Sequence, residues 1–144
     1  MYGFRQTHQP SPWMGDYGQF SIMPFTGEAT GIPSSAFSHK SEESRPYCYS
    51  VYLADYDCLV ELTPTSHAAA FRLTYPESNV SGFRVDADGE IQIDGKRIYG
   101  TSSLNRGGVS ENFANYFIIE SDTGFEAVGD NPDSSEQCNK GVRL

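Results

Sequence analysis

The chain has 144 residues, 19 acidic against 10 basic, for a formal net charge of −9. That length is one domain's worth, enough to bury a core without disulfides or metals. The acidic balance, with no basic cluster, excludes phosphate-backbone binding and hence a nucleic-acid partner. The longest apolar runs, such as Tyr116-Phe117-Ile118-Ile119, fall far short of the roughly 20 residues a spanning helix needs, so no membrane partner is expected.

The first segment in chain order, Gly3 to Phe20, sets the only tryptophan, Trp13, among His8, Gln9, Pro10, Pro12 and Asp16. Two prolines fix φ and restrict the residues before them, so Trp13 sits on a stiff loop that cannot continue a helix. A large flat ring on a polar loop suits the apolar face of a sugar, with His8, Gln9 and Asp16 at hand for hydroxyls. The competing reading has Trp13 plugging the end of a sandwich. Residues 1 to 20 lack the layout of a secretory signal peptide.

Beyond this loop period-2 alternation dominates and no window of eleven or more residues carries a helical stripe, so the chain reads as all-β. Residues 47 to 54 and 57 to 63, rich in Tyr, Val and Leu, flank Asp55-Tyr56 and form an antiparallel pair with a tight turn. Residues 66 to 75 make a third strand, with Phe71, Leu73 and Tyr75 on a buried face and Arg72 and Thr74 on a wet one. Asp86-Ala87-Asp88-Gly89-Glu90 lacks the full twelve-residue calcium-loop pattern and is a turn.

Residues 90 to 93 and 96 to 99 flank Asp94-Gly95, a hairpin signal of type I′, which needs φ > 0 at both central positions. Asn105-Arg106-Gly107-Gly108-Val109 is a connecting loop whose glycines permit unusual backbone angles. Residues 113 to 121 carry apolar groups on both faces and are expected to form a central, doubly covered strand. Residues 129 to 144 are polar, turn-prone and unpatterned, and are expected to be loose.

The three cysteines, Cys48, Cys58 and Cys138, are an odd number without Cys-x-x-Cys spacing, so neither a disulfide framework nor a zinc site is indicated. Cys48 and Cys58 flank the first hairpin and read as two buried free thiols, a pairing between them being the alternative. His8, His39 and His67 show no metal-binding spacing. His39 orders its loop through hydrogen bonds, and His8 faces substrate or braces its loop. Asn79-Val80-Ser81 satisfies the glycosylation sequon, which matters only in a secreted protein. Among the acidic residues Asp16 and Glu111 stand apart from the solvated surface set.

The Trp13 segment, followed in order by Phe37-Ser38-His39, Tyr49-Ser50-Val51-Tyr52-Leu53, Glu61-Leu62-Thr63, Phe71-Arg72-Leu73-Thr74-Tyr75-Pro76 and Gly107-Gly108-Val109-Ser110-Glu111-Asn112-Phe113, resembles the amino-terminal domain of glycoside hydrolase family 92. These are calcium-dependent exo-acting α-mannosidases. The likeness covers residues 1 to about 128.

It implies an antiparallel β-sandwich, here partial and truncated on its amino-terminal side, with 129 to 144 as a tail. It also implies a mannose-containing glycan as substrate and an (α/α) barrel as the partner domain that holds the catalytic acid and base. Calcium would be bound mainly outside this segment, and Trp13, His8, Gln9 and Asp16 would contact substrate, with no catalytic residue in the chain itself. A secreted or periplasmic site follows only for a full-length member. After Tyr75-Pro76-Glu77 the family usually has a hydrophobic strand that is shortened or deleted here, the chain passing through Ser78-Asn79 to Val80-Ser81-Gly82-Phe83. The functional reading is a non-catalytic wall of an α-mannosidase cleft; the alternatives are a free-standing carbohydrate-binding module or a degenerate product without function.

Overall fold

A computed structural model describes residues 1–5, 20–28, 31–78, 80–128 and 138–143, the last six as backbone. The described residues are strands and turns, without helix, and the fold is all-β, as the alternation predicts. Two compact units divide the chain: Met1–Tyr2 with Pro24–Ser81, and Gly3–Met23 with Gly82–Leu144.

The first unit is built on a four-stranded antiparallel meander, β3 (Glu43–Arg45), β4 (Cys48–Leu53), β5 (Cys58–Pro64) and β6 (Ala69–Thr74), in that spatial order. Its period-2 pattern sorts the side chains. Val51 pairs with Val60 and Leu53 with Cys58, and all four are completely buried. Ser50 pairs with Glu61 and Glu61 with Arg72 on the opposite, wet face.

A four-residue loop, 54–57, joins β4 to β5, and Asp57 adopts φ of 51°. Aspartate tolerates the left-handed region better than most residues, and its carboxylate accepts the Tyr52 hydroxyl. Ser35 pins this hairpin from outside: its Oγ accepts the Asp55 N–H at 3.1 Å while the Ala36 N–H donates to Asp55 Oδ2 at 2.7 Å.

Phe71 and Leu73 lie on the dry side as expected, but Phe71 keeps 37 % of its surface exposed. Among the described residues β6 is the outer strand of its sheet. Cys48 and Cys58 stand at opposite ends of the β4–β5 pair, about 16 Å apart by strand rise, too far to bridge. Both are free thiols, but only Cys58 is buried as expected; Cys48, at the start of β4, is half-buried.

In the second unit β8 (Ile91–Asp94), β9 (Arg97–Ser102) and β10 (Asn115–Glu120) form a three-stranded antiparallel sheet with β9 in the middle. The β8–β9 hairpin falls where Asp94-Gly95 places it, with a different turn. Asp94 pairs with Arg97, so the two loop residues are Gly95 and Lys96. Gly95 has φ of 57°, and among the described residues Asp57 is the sole non-glycine with positive φ. Positive φ at the first central position alone is the type II′ signature, which glycine satisfies without steric cost.

Strand β10 corrects the expectation of a central, doubly covered strand. It lies at the sheet's edge. Phe117 is buried, whereas Tyr116 and Ile118 are 76 % and 61 % exposed, because alternate residues point to opposite faces and this sheet covers one of them.

Phe117 lies opposite Gly100, and a Cβ at Gly100 would sit 2.1 Å from the Phe117 ring. The glycine thus makes room for the ring, which stacks on Phe20 with centroids 4.0 Å apart and planes 12° off parallel. Phe20 belongs to β2 (Phe20–Thr26), in a five-stranded sheet ordered β1 (Phe4–Arg5), β2, β7 (Ser81–Ala87), β12 (Cys138–Arg143), β11 (Glu126–Val128). That stack joins the two sheets of this unit in sandwich-like fashion. Strand β12 runs antiparallel to both β7 and β11, so part of the stretch expected to be loose is laddered. Backbone pairing requires no hydrophobic pattern, which is why the sequence does not announce it.

Candidate functional site

Trp13, His8, Gln9 and Asp16 lie outside the described residues. The fold does define where their segment starts and finishes. Phe4 pairs with Ile22 and Arg5 with Ser21 across antiparallel β1 and β2, so both ends of the 6–19 stretch are held side by side by a backbone ladder.

The described residues contain one connected chain of polar side chains around an exposed histidine. Residues 38–41 make a turn in which the Ser41 N–H and Oγ–H both donate to the Ser38 carbonyl at 3.0 Å. It presents His39 and leads into Glu42, just ahead of β3. His39 Nδ1 lies 2.5 Å from Glu42 Oε2, and the Tyr49 hydroxyl donates to Glu42 Oε1 at 2.6 Å. The Phe37 ring meets the imidazole edge-on, 5.1 Å away at 79°.

These two donors, Tyr49 foremost and then His39, hold the Glu42 carboxyl below its ordinary range. Burial, followed by the hydrogen bond to Glu42, pushes the Tyr49 phenol up. Glu42 is therefore a carboxylate and Tyr49 a neutral donor at neutral pH. The expected loop-ordering role of His39 agrees with this geometry. Glu42 and Tyr49 were missed in the sequence, although His39-Lys40-Ser41-Glu42 sets two polar partners three residues apart and Tyr49 opens the Tyr49-Ser50-Val51-Tyr52-Leu53 run.

The other motifs resolve into bracing. The Asn105 side-chain amide donates to the Val109 and Ser110 carbonyls at 3.0 and 3.1 Å, while its Oδ1 accepts the Gly107 N–H at 2.8 Å. Gly107, at φ of 102°, takes the angle that closes this loop. Asp86 ends in β7 beside Arg84, 3.6 Å away, and the Asp88 carbonyl accepts the Ser103 N–H at 2.8 Å. The Asp86 to Glu90 stretch thus serves as the β7–β8 connection. Glu111 sits exposed in a turn. Among the described residues no three His, Cys, Asp or Glu side chains gather as a metal would require, and no helix is long and apolar enough to cross a membrane.

Compared with protein families, the sequence matches the glycosyl hydrolase family 92 N-terminal domain over residues 1–141. The chain belongs to this family. Among solved structures, the family 92 domain is similar to the GH92 α-mannosidase BT3965 from Bacteroides thetaiotaomicron, with a TM-score of 0.65 and 24 % sequence identity over 86 % of this chain. The same enzyme in complex with mannoimidazole gives the same values. At that identity the likeness establishes the fold. The chain spans about a fifth of the enzyme's length, 21 % in each comparison. No curated protein matches the sequence.

Proposed function

We propose that this domain works as the amino-terminal β-sandwich of an exo-acting glycoside hydrolase that removes terminal α-mannose from glycans. The observation that carries the reading is the family match across residues 1–141. In this reading the domain extends through β12. Trp13, His8, Gln9 and Asp16 form one wall of the mannose-binding cleft, and an (α/α) barrel supplies the catalytic acid and base. Calcium is held mainly outside this segment. The laddering of Phe4-Arg5 against Ser21-Ile22 favours such a wall, since a loop that must meet a substrate gains from fixed ends.

Glycoside hydrolysis requires two carboxyl groups on either side of the scissile bond, and the domain's part here is contact and support. The test is turnover of an α-mannoside by the domain joined to a family-type barrel, with and without Trp13→Ala. Removing a stacking ring is expected to cost on the order of 1–3 kcal/mol in kcat/KM, with His8→Ala acting in the same direction. Unchanged kcat/KM in both variants overturns the cleft-wall reading, and a loss that only tracks folded protein returns Trp13 to a structural plug. The domain alone is expected to release no mannose, with or without calcium.

A further inference from the structure

The histidine at position 39 is more rigidly presented than an exposed residue needs to be. Its side chain is 84 % exposed, yet Glu42, at 21 %, holds Nδ1, Tyr49 holds Glu42, and Phe37 fixes the ring edge. Tyr49 in turn belongs to β4, whose Val51 and Leu53 are completely buried, so the chain of contacts ends on the least deformable part of the sheet. A surface ion pair contributes little to stability. What this arrangement does deliver is orientation: a carboxylate on Nδ1 fixes the tautomer and aim of an imidazole, leaving Nε2 for another partner.

With Nδ1–H donating to Glu42, Nε2 of the neutral ring carries a lone pair and accepts. Among the described residues nothing fills that position. The chemistry of the surroundings narrows what would. The Glu42 carboxylate lies 2.5 Å from the ring, so an anion gains nothing there, and no third metal-ligating side chain is near among the described residues. A neutral hydroxyl, donating to Nε2, fits. The half-exposed Phe37 ring next to it offers an apolar face for the C–H side of a pyranose.

We propose that His39, aimed by Glu42 and Tyr49, is a second glycan contact of this domain, accepting a pyranose hydroxyl at Nε2. This rests on the reading of the domain as part of a mannoside-processing enzyme. His39 would touch ligand, whereas Glu42 and Tyr49 are positioning residues.

The experiment is a titration of the full chain, carrying 15N-labelled histidine, with methyl α-D-mannopyranoside and separately with D-mannitol, at a pH where the imidazole is neutral. Long-range 1H–15N correlations follow His39 and fluorescence follows Trp13. The expected result is that the His39 Nε2 resonance moves with the mannoside and not with the open-chain polyol, and that His39→Ala weakens binding several-fold. Glu42→Gln should erase the fixed Nδ1–H tautomer in the spectrum, a signature that lost packing alone would not produce, and weaken binding in step.

A stationary His39 with a responding Trp13 overturns the inference while the glycan reading stands, and a response at neither residue overturns both. A response at His39 alone sustains the inference and removes Trp13 from the site. An equal response to mannitol overturns the pyranose assignment. At its exposure, His39→Ala should leave folding intact, and a circular dichroism spectrum matching the parent's confirms that the loss is of contact.

Discussion

The four-stranded and three-stranded sheets are both antiparallel meanders with a dry face and a wet one, yet they fill and finish those faces differently. In the first, the dry rows are aliphatic and of similar size, Val51 against Val60 and Leu53 against Cys58. In the second, one row runs Ile91, Gly100, Phe117, where a missing side chain in the middle strand is exchanged for a whole ring from the edge. The wet faces diverge as well. Ser50, Glu61 and Arg72 make a polar row on the first sheet, whereas Tyr99, Tyr116 and Ile118 leave aromatic and aliphatic surface on the second. Uniform packing spreads the energy over many methyl groups; volume exchange concentrates it in one contact and makes that contact intolerant of change.

The largest expected effect is on the uniform face. Leu53→Ala removes a completely buried side chain and should destabilise the chain by about 3 kcal/mol in urea denaturation. A loss under about 1 kcal/mol would mean that this face collapses around the gap and is not closely packed.

Next comes the exchanged volume. Gly100→Ala places a methyl against the Phe117 ring and should cost about 2 kcal/mol. Combining it with Phe117→Leu should give a double variant less destabilised than the sum of its parts, because the two changes share one space. Strict additivity would break the picture of a glycine reserved for that ring.

A third effect is read in alkali. Burial, then the nearby Asp57 charge, push the Cys58 thiol up to about 11 from its ordinary value of 9.0. The folded state therefore keeps its proton after the unfolded state has lost it. The stability tied to Cys58 is complete below about pH 9 and is lost as pH rises towards 11. Cys58→Ala should flatten this limb of the denaturation profile, and Cys58 should label with a thiol reagent far more slowly than the half-buried Cys48. The smallest effect belongs to the second wet face, where Tyr116→Ser should change stability by no more than about 0.5 kcal/mol while lowering retention on a hydrophobic column.

These contrasts mark what was legible in the sequence. Both hairpins stood out, since alternation around Asp55-Tyr56 and Asp94-Gly95 is a local signal. The register was not local: Gly95 takes the first loop position rather than the second, because Asp94 is drawn into the ladder opposite Arg97. The burial of β10 was misjudged because Tyr116 and Ile118 are apolar whichever way they face, and only the sheet decides which face is covered. Strand β12 went unseen because its pairing belongs to peptide groups. Of the candidate site, His39 and its loop-ordering habit could be read, but Tyr49 enters through strand placement that residue types do not encode.

Among the described residues strand β6 ends the order of the four-stranded sheet, and Ala69–Thr74 is a stretch of small and apolar residues broken by a single charge, Arg72. Open ladders invite further strands, and a stack of identical chains would have to bring those guanidinium groups into line every ~4.8 Å. A cation at that position opposes such stacking by like-charge repulsion.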